Sequence, residues 1–251
     1  MEKMKQNKSK ILIMDSGVGG ISVLRESLNL TPNADYIYFA DYKSMPYGNK
    51  EEAVIRKTVI QNALYLNARF NPSIIVLACN TATAIAIGTL RNIIKDKIVI
   101  GTEPAIMVAK NEGSKSPLLL ATQNTIRYSR IVRDFKQQNP NFTLLPLKNL
   151  ASKIEKNLDS LDLISKSLVQ KLNLFKFDSL VLGCTHYVFL KPYLSNLLNC
   201  PIYDGNLGVA ERICSQALTS KKQGTLKVLT NDNKYKSRLY DAFTILNKEV
   251  R

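Results

Sequence analysis

The chain has 251 residues, 45% of them hydrophobic, enough to pack one large or two small domains and too apolar for intrinsic disorder. Its 35 basic and 20 acidic residues leave a net charge of +15, but 25 scattered lysines against 10 arginines lack the clustering of a nucleic-acid reader, so nucleic-acid binding is not expected. The absence of an apolar run of about eighteen residues argues against a membrane span, and four separated cysteines with a single histidine give neither a disulfide framework nor a zinc cage.

The lead-in from Lys3 to Lys10 is basic and reads as disordered, and it leads into only a short apolar run, Ile11 to Met14, which argues against a secretory signal. A strand is predicted over 10–14, followed by Asp15-Ser16-Gly17-Val18-Gly19-Gly20 and a helix over 20–29. Next come a strand over 36–40 ending at Asp41, the segment Pro46-Tyr47-Gly48 and a helix over 50–70. A strand over 73–78 ends at Cys79-Asn80-Thr81, with a helix over 82–95, a strand over 97–100 and a helix over 103–111. A strand over 117–121 leads to Thr122 and Thr125 and to one helix over 125–138, then a strand over 142–145 and a helix over 161–174. A strand over 179–182 ends at Cys184-Thr185-His186, and the remainder reads as helix 190–198, strand 201–203, helix 208–218, strand 226–229 and helix 234–248. Short apolar strands alternating with helix-period segments predict an α/β fold of mainly parallel sheets flanked by helices.

One internal echo divides the chain. Ile75-Val76-Leu77-Ala78-Cys79-Asn80-Thr81 resembles Leu180-Val181-Leu182-Gly183-Cys184-Thr185-His186. Either two buried strands look alike by chance, or two similar domains each offer one thiol across a cleft. The second reading predicts a domain of 1–102 completed by 208–251 and carrying Cys79, with 103–207 as the domain carrying Cys184.

In open α/β sheets ligands bind beyond the carboxyl ends of the strands, where the polar residues of this chain gather. Gly17-Val18-Gly19-Gly20 matches neither common phosphate-loop pattern, so its glycines serve a tight turn with close packing or present N–H groups to a small anion. Cys200 and Cys214 read as inert core residues. Cys79 and Cys184 sit where strands give way to helices, and the helix dipole is expected to lower each thiol towards neutral pKa. Two such thiols suit removal of a proton from one face of a carbon and its return to the other. His186 orients the thiol two residues before it or is a bonded structural group. Asp15 and Asp41 stand where a functional carboxylate or a helix N-cap belongs.

Together, Asp15-Ser16-Gly17-Val18-Gly19-Gly20, Pro46-Tyr47-Gly48-x-Lys50, Ala78-Cys79-Asn80-Thr81-Ala82 and Leu182-Gly183-Cys184-Thr185-His186-Tyr187 closely resemble bacterial glutamate racemase, with further matches at Glu103-Pro104 and Thr230-x-Asp232. The resemblance runs from about Ile11 to the end of the chain. It departs from the family pattern at Ala40, Ala121, Tyr128 and Val188.

This resemblance implies interconversion of L- and D-glutamate without pyridoxal phosphate, metal or other cofactor, supplying D-glutamate for peptidoglycan in the cytoplasm. It implies that Cys79 takes the proton from D-glutamate, assisted by Asp15. Cys184 takes it from L-glutamate, assisted by His186 with Glu155 and Asp41 in support. Asn80, Thr81 and Thr185 are implied holders of the α-carboxylate, and Asp15 and Ser16 of the ammonium. Pro46, Tyr47 and Gly48 receive the side-chain carboxylate, Thr122 and Thr125 complete the pocket, and the partner expected besides substrate is a second copy of the chain in a homodimer.

The alternatives are a related racemase acting on aspartate, a cysteine hydrolase using Cys184 and His186, and a non-catalytic binder. The hydrolase needs one thiol and leaves Cys79-Asn80-Thr81 unexplained.

Overall fold

A computed structural model of the chain describes residues 8–248. The chain runs β1 (Lys10–Asp15), α1 (Ile21–Leu30), β2 (Asp35–Ala40), α2 (Glu52–Phe70), β3 (Ile74–Leu77), α3 (Asn80–Ile93), β4 (Ile98–Gly101) and α4 (Ile106–Asn111). It continues β5 (Pro117–Ala121), α5 (Gln123–Tyr128), α6 (Arg130–Gln138), β6 (Thr143–Pro146), α7 (Leu150–Lys156), α8 (Leu161–Leu172), β7 (Ser179–Gly183), α9 (Lys191–Leu197), β8 (Ile202–Asp204), α10 (Asn206–Gln216), β9 (Leu226–Thr230) and α11 (Lys236–Lys248).

The strands form two sheets, ordered β4-β3-β1-β2-β9 and β6-β5-β7-β8, and the paired strands are parallel throughout. Parallel sheets need crossover helices on both faces, which is why β1, β3, β5 and β7 are buried almost end to end. Alternate residues of one strand therefore feed different cores. Ile11 and Ile13 join Leu118, Leu120, Leu180 and Leu182 of the other sheet in one cluster that also takes in α1, α10 and α11. Leu12 and Met14 face the opposite way, towards α2 and α3. Each fully buried Ile or Leu contributes roughly 1.5–3 kcal/mol, so the shared cluster ties the two sheets together. On α2 the buried residues Ile55, Val59, Ala63 and Leu66 recur at helical spacing, and the helix ends at Asn71 in the left-handed conformation, φ 46°.

Four local expectations are corrected. Lys8 and Lys10 are ordered: the Lys8 ammonium lies 2.8 Å from the Asp35 carboxylate, and Lys10 begins β1 and donates to the Phe70 carbonyl at 2.8 Å. The rest of the basic lead-in, with Lys3 and Lys5, lies outside the described residues. The helix predicted over 125–138 is two helices, because Ser129 adopts an extended conformation and its hydroxyl accepts the Val132 N–H at 3.4 Å as the cap of a new helix. The short helix α7 was not predicted; it is a seven-residue segment entered through Asn149 at φ 65°. Cys214 is exposed and Cys200 half-buried, because the buried face of α10 is carried by Val209, Ala210 and Ile213 and turns Cys214 outward. Among the described residues no helix is long and apolar enough to cross a membrane.

Candidate active site

All strand pairing being parallel, each sheet presents its strand ends on one edge. Asp15 closes β1, Asp41 follows β2, Cys79 follows β3, Thr122 follows β5 and Cys184 follows β7. The two edges meet, and hydrogen bonds cross between them. Thr185 donates to Asp15 Oδ2 at 3.0 Å, a residue 170 positions away. Thr81 Oγ1 lies 2.8 Å from Thr122 Oγ1 and 3.1 Å from Thr125 Oγ1, and those two are 2.9 Å apart. Cys79 and Cys184 are both buried, and Cys184 is close enough for its charge to act on the Cys79 sulfur.

Cys79 caps α3. The Thr81 and Ala82 amides favour its anion, but burial and then the charges of Asp15 and Cys184 push the thiol far above its ordinary value. The expected lowering by a helix start is thereby corrected for Cys79: a helix terminus gives at most a few kcal/mol, and desolvation of an anion outweighs it here. Asp15 is itself raised, by burial first, against the opposing influence of His186 and the bonds from the Gly17 N–H and Thr185 hydroxyl. Its Oδ1 accepts the Gly17 amide at 2.8 Å.

Cys184 is followed by a 3₁₀ segment, Thr185–Leu190, rather than by an α-helix. The whole segment is buried, Thr185 and His186 with it. Cys184 stands close enough to His186 to favour its charged form, and the ring's Nε2 lies 2.7 Å from Glu155 Oε2. Burial opposes an imidazolium there, but Cys184 and Glu155 prevail and hold the ring's pKa well above its ordinary value. Burial likewise opposes ionisation of Glu155, yet His186, the Tyr42 hydroxyl and the Val18 N–H outweigh it and keep the carboxyl low. The result is a buried charged pair beside one of the two thiols.

The glycine-rich loop after β1 serves close approach. A Cβ on Gly17 would meet the Glu155 carboxylate and Met45, and one on Gly19 would meet the Thr185 hydroxyl and the His186 ring. Ser16, between Asp15 and this loop, is buried. Asn80, also buried, donates to the Thr102 carbonyl at 3.3 Å.

The side-chain bonds of Asp41 go to residues other than the His186 pair. Asp41 caps the 3₁₀ turn Tyr42–Ser44 and accepts from Tyr47, Asn62 and Asn231 at 2.6, 2.9 and 2.6 Å, so its bonds anchor the Pro46-Tyr47-Gly48 segment. That segment faces α5: a Cβ on Gly48 would press on Thr122. Asn124, which no motif had marked, donates to the Tyr47 and Lys50 carbonyls at 3.0 and 2.8 Å. Tyr42 is the other unmarked residue, its phenol against Glu155. Among the described residues no three His, Cys, Asp or Glu side chains group as a metal site.

No family model matches the chain. A glutamate racemase of Clostridium novyi is 35% identical over 243 residues, spanning 91% of this chain and 93% of its own. One of Leptospira borgpetersenii is 39% identical over 210 residues, 81% of this chain and 80% of its own. Among solved structures, Escherichia coli glutamate racemase in complex with L-glutamate and the activator UDP-MurNAc-Ala superposes with a TM-score of 0.79 at 27% identity, covering 97% of this chain and 96% of the other. Francisella tularensis glutamate racemase in complex with D-glutamate gives 0.78 at 27% identity, covering 94% of each.

Proposed function

The chain belongs to the glutamate racemase family, and from that premise we propose that it interconverts L- and D-glutamate with two thiols, supplying D-glutamate for peptidoglycan. The observation that carries the reading is the meeting of Cys79 and Cys184, from the strand ends of two different sheets, in one buried site. A carbon held between them is open to a proton carrier on each face, which is what inversion requires.

Taken in the L-to-D direction, the Cys184 sulfur accepts the α-proton, and the adjoining His186–Glu155 pair sets a positive charge beside the sulfur that must carry the negative one. Electrons left on the α-carbon spread into the α-carboxylate. Hydroxyl and amide donors at Asn80, Thr81 and Thr185 are assigned to that carboxylate and stabilise the charge as it builds. Cys79, held protonated by its burial, returns a proton to the opposite face. Asp15, in contact with Thr185 and electrostatically linked to Cys79, is assigned with Ser16 to the substrate ammonium. The ammonium brings the positive charge that lets Cys79 act as base in the reverse direction. Pro46, Tyr47 and Gly48, the last lying against Thr122, are assigned to the distal carboxylate. Fixing three charged groups of the substrate orients its α-hydrogen between the sulfurs.

The two bodies facing the cleft are read as the domains divided at 103 and 208. The chemistry needs both sulfurs reduced, which suits the cytoplasm. The test is chiral analysis of glutamate after incubation of the purified chain with either enantiomer. Equal amounts of the two enantiomers are expected from either start, before and after treatment with a chelator and with a carbonyl reagent. No inversion of glutamate, or faster inversion of aspartate, would overturn the assignment.

A further inference from the structure

Tyr42 belongs to none of the motifs that mark the site, yet its hydroxyl ends on the carboxylate that holds His186. The ring is buried and stacks on Tyr235, with centroids 4.4 Å apart and planes 12° from parallel. From this fixed position the hydroxyl donates to Glu155 Oε1 at 2.6 Å. Burial, then the neighbouring Glu155 charge, push the phenol far above its ordinary value, so it stays a donor.

Glu155 Oε2 is shared between His186 Nε2 at 2.7 Å and the Val18 N–H at 3.0 Å. Oε1 has the Tyr42 bond. The terminal torsion of a glutamate is broad and roughly two-fold, so a carboxylate held at one oxygen can still turn. The Tyr42 bond holds the second oxygen and fixes the plane. Arg238 of α11 donates to the Glu155 main-chain carbonyl, which secures the backbone but leaves that torsion free. On the Cys79 side the sulfur is influenced by the Thr81 and Ala82 amides and by Asp15, and Asp15 is oriented by Gly17 and Thr185; the Tyr42 hydroxyl spends its bond on Glu155, although it feels the Asp15 charge.

We propose that Tyr42 is a positioning residue for the Cys184 half of the reaction: its hydroxyl sets Glu155, Glu155 sets the imidazole of His186, and His186 holds its ring against the Cys184 sulfur. The proposal rests on the reading of Cys184 as the thiol that works on the L face.

Tyr42→Phe removes the hydroxyl and keeps the ring on Tyr235. Elimination of HCl from the two Cα enantiomers of 3-chloroglutamate needs one deprotonation and so reads each thiol separately. In Tyr42→Phe, elimination from the L-configured analogue should fall about 10- to 100-fold, the range for losing a residue that orients a functional histidine, while the D-configured analogue is processed close to the wild-type rate. Retained D activity certifies the fold in the same sample. Since Tyr42 acts through Glu155, Tyr42→Phe added to Glu155→Gln should cost little more than Glu155→Gln alone. Equal loss on both enantiomers, no loss on either, or additive losses in the double variant would overturn the role of Tyr42. Cys184→Ala separates this from the underlying reading: if that variant still eliminates from the L analogue, the assignment of Cys184 to the L face is what fails.

Discussion

Around Cys79 the chain is regular. A buried strand passes into the 14-residue helix α3 with Cys79 at its N-cap position, and the influences on the sulfur are burial, two amides and the charges of Asp15 and Cys184. Around Cys184 the same kind of strand runs into a wholly buried 3₁₀ segment, and a file of polar side chains leads away from the sulfur through His186 and Glu155 to Tyr42. The difference arises just after the strand. An α-helix offers its first N–H groups to the site; the 3₁₀ segment is buried on all sides, so consecutive polar side chains of it stay in the interior. The two sulfurs thus have unlike flanks, one raised by its burial and the other set beside a charged pair.

Removing either thiol should have the largest effect. Cys79→Ala and Cys184→Ala are each expected to lower racemisation on the order of 10²–10⁴-fold, the range for a general acid or base. Each variant should retain elimination from the enantiomer facing the surviving sulfur, measured as chloride release. A single variant that racemises at close to the wild-type rate would break the two-thiol comparison.

A methyl group placed at the meeting of the two flanks comes next. In Gly19→Ala the new Cβ would press on the Thr185 hydroxyl and the His186 ring, both tethered by their own hydrogen bonds. Overpacking of this kind costs about 1–3 kcal/mol, and racemisation should drop more than tenfold because the sheet edges no longer close. The identical change at Gly88, where a Cβ meets nothing within 4 Å on the exposed side of α3, should instead stabilise by roughly 0.5–1 kcal/mol. Thermal melts and initial rates on the pair give the contrast.

The smallest effect sharpens the electrostatic side. His186 has its pKa raised in the folded chain, so its contribution to stability is complete below its ordinary value of 6.5 and is lost as pH rises through the raised value. Urea unfolding should therefore show wild-type stability declining as pH rises above about 6.5. In Glu155→Gln the His186 pKa is raised less, and the decline with rising pH should be shallower. An equally steep decline in both proteins would show that Glu155 does not hold the imidazolium.

Much of the scaffold was legible because it is local. Four- to six-residue runs such as Ile74–Leu77 and Pro117–Ala121 are apolar throughout, a pattern that suits strands covered on both sides. The turn residues after them marked where chemistry could gather. Helix ends were less legible: Ser129 splits a helix whose apolar period runs on, because a side-chain cap competes with the helix interior. Glu155 was known only through family resemblance, and its seven-residue helix carries too little periodicity to stand out.

The sequence by itself determined that the chain alternates strand and helix, and that two cysteine-bearing strand ends carry matching polar residues. Only the tertiary structure decided which of those residues work together. It gave the bonds of Asp41 to Tyr47 and not to His186, brought Tyr42 to a carboxylate 113 positions on, and made Cys79 a reluctant acid. Periodicity reports which face a residue presents over a few turns of chain. Partners so far apart, and the burial that pushes the Cys79 thiol up, exist only once the sheet edges have closed on one another.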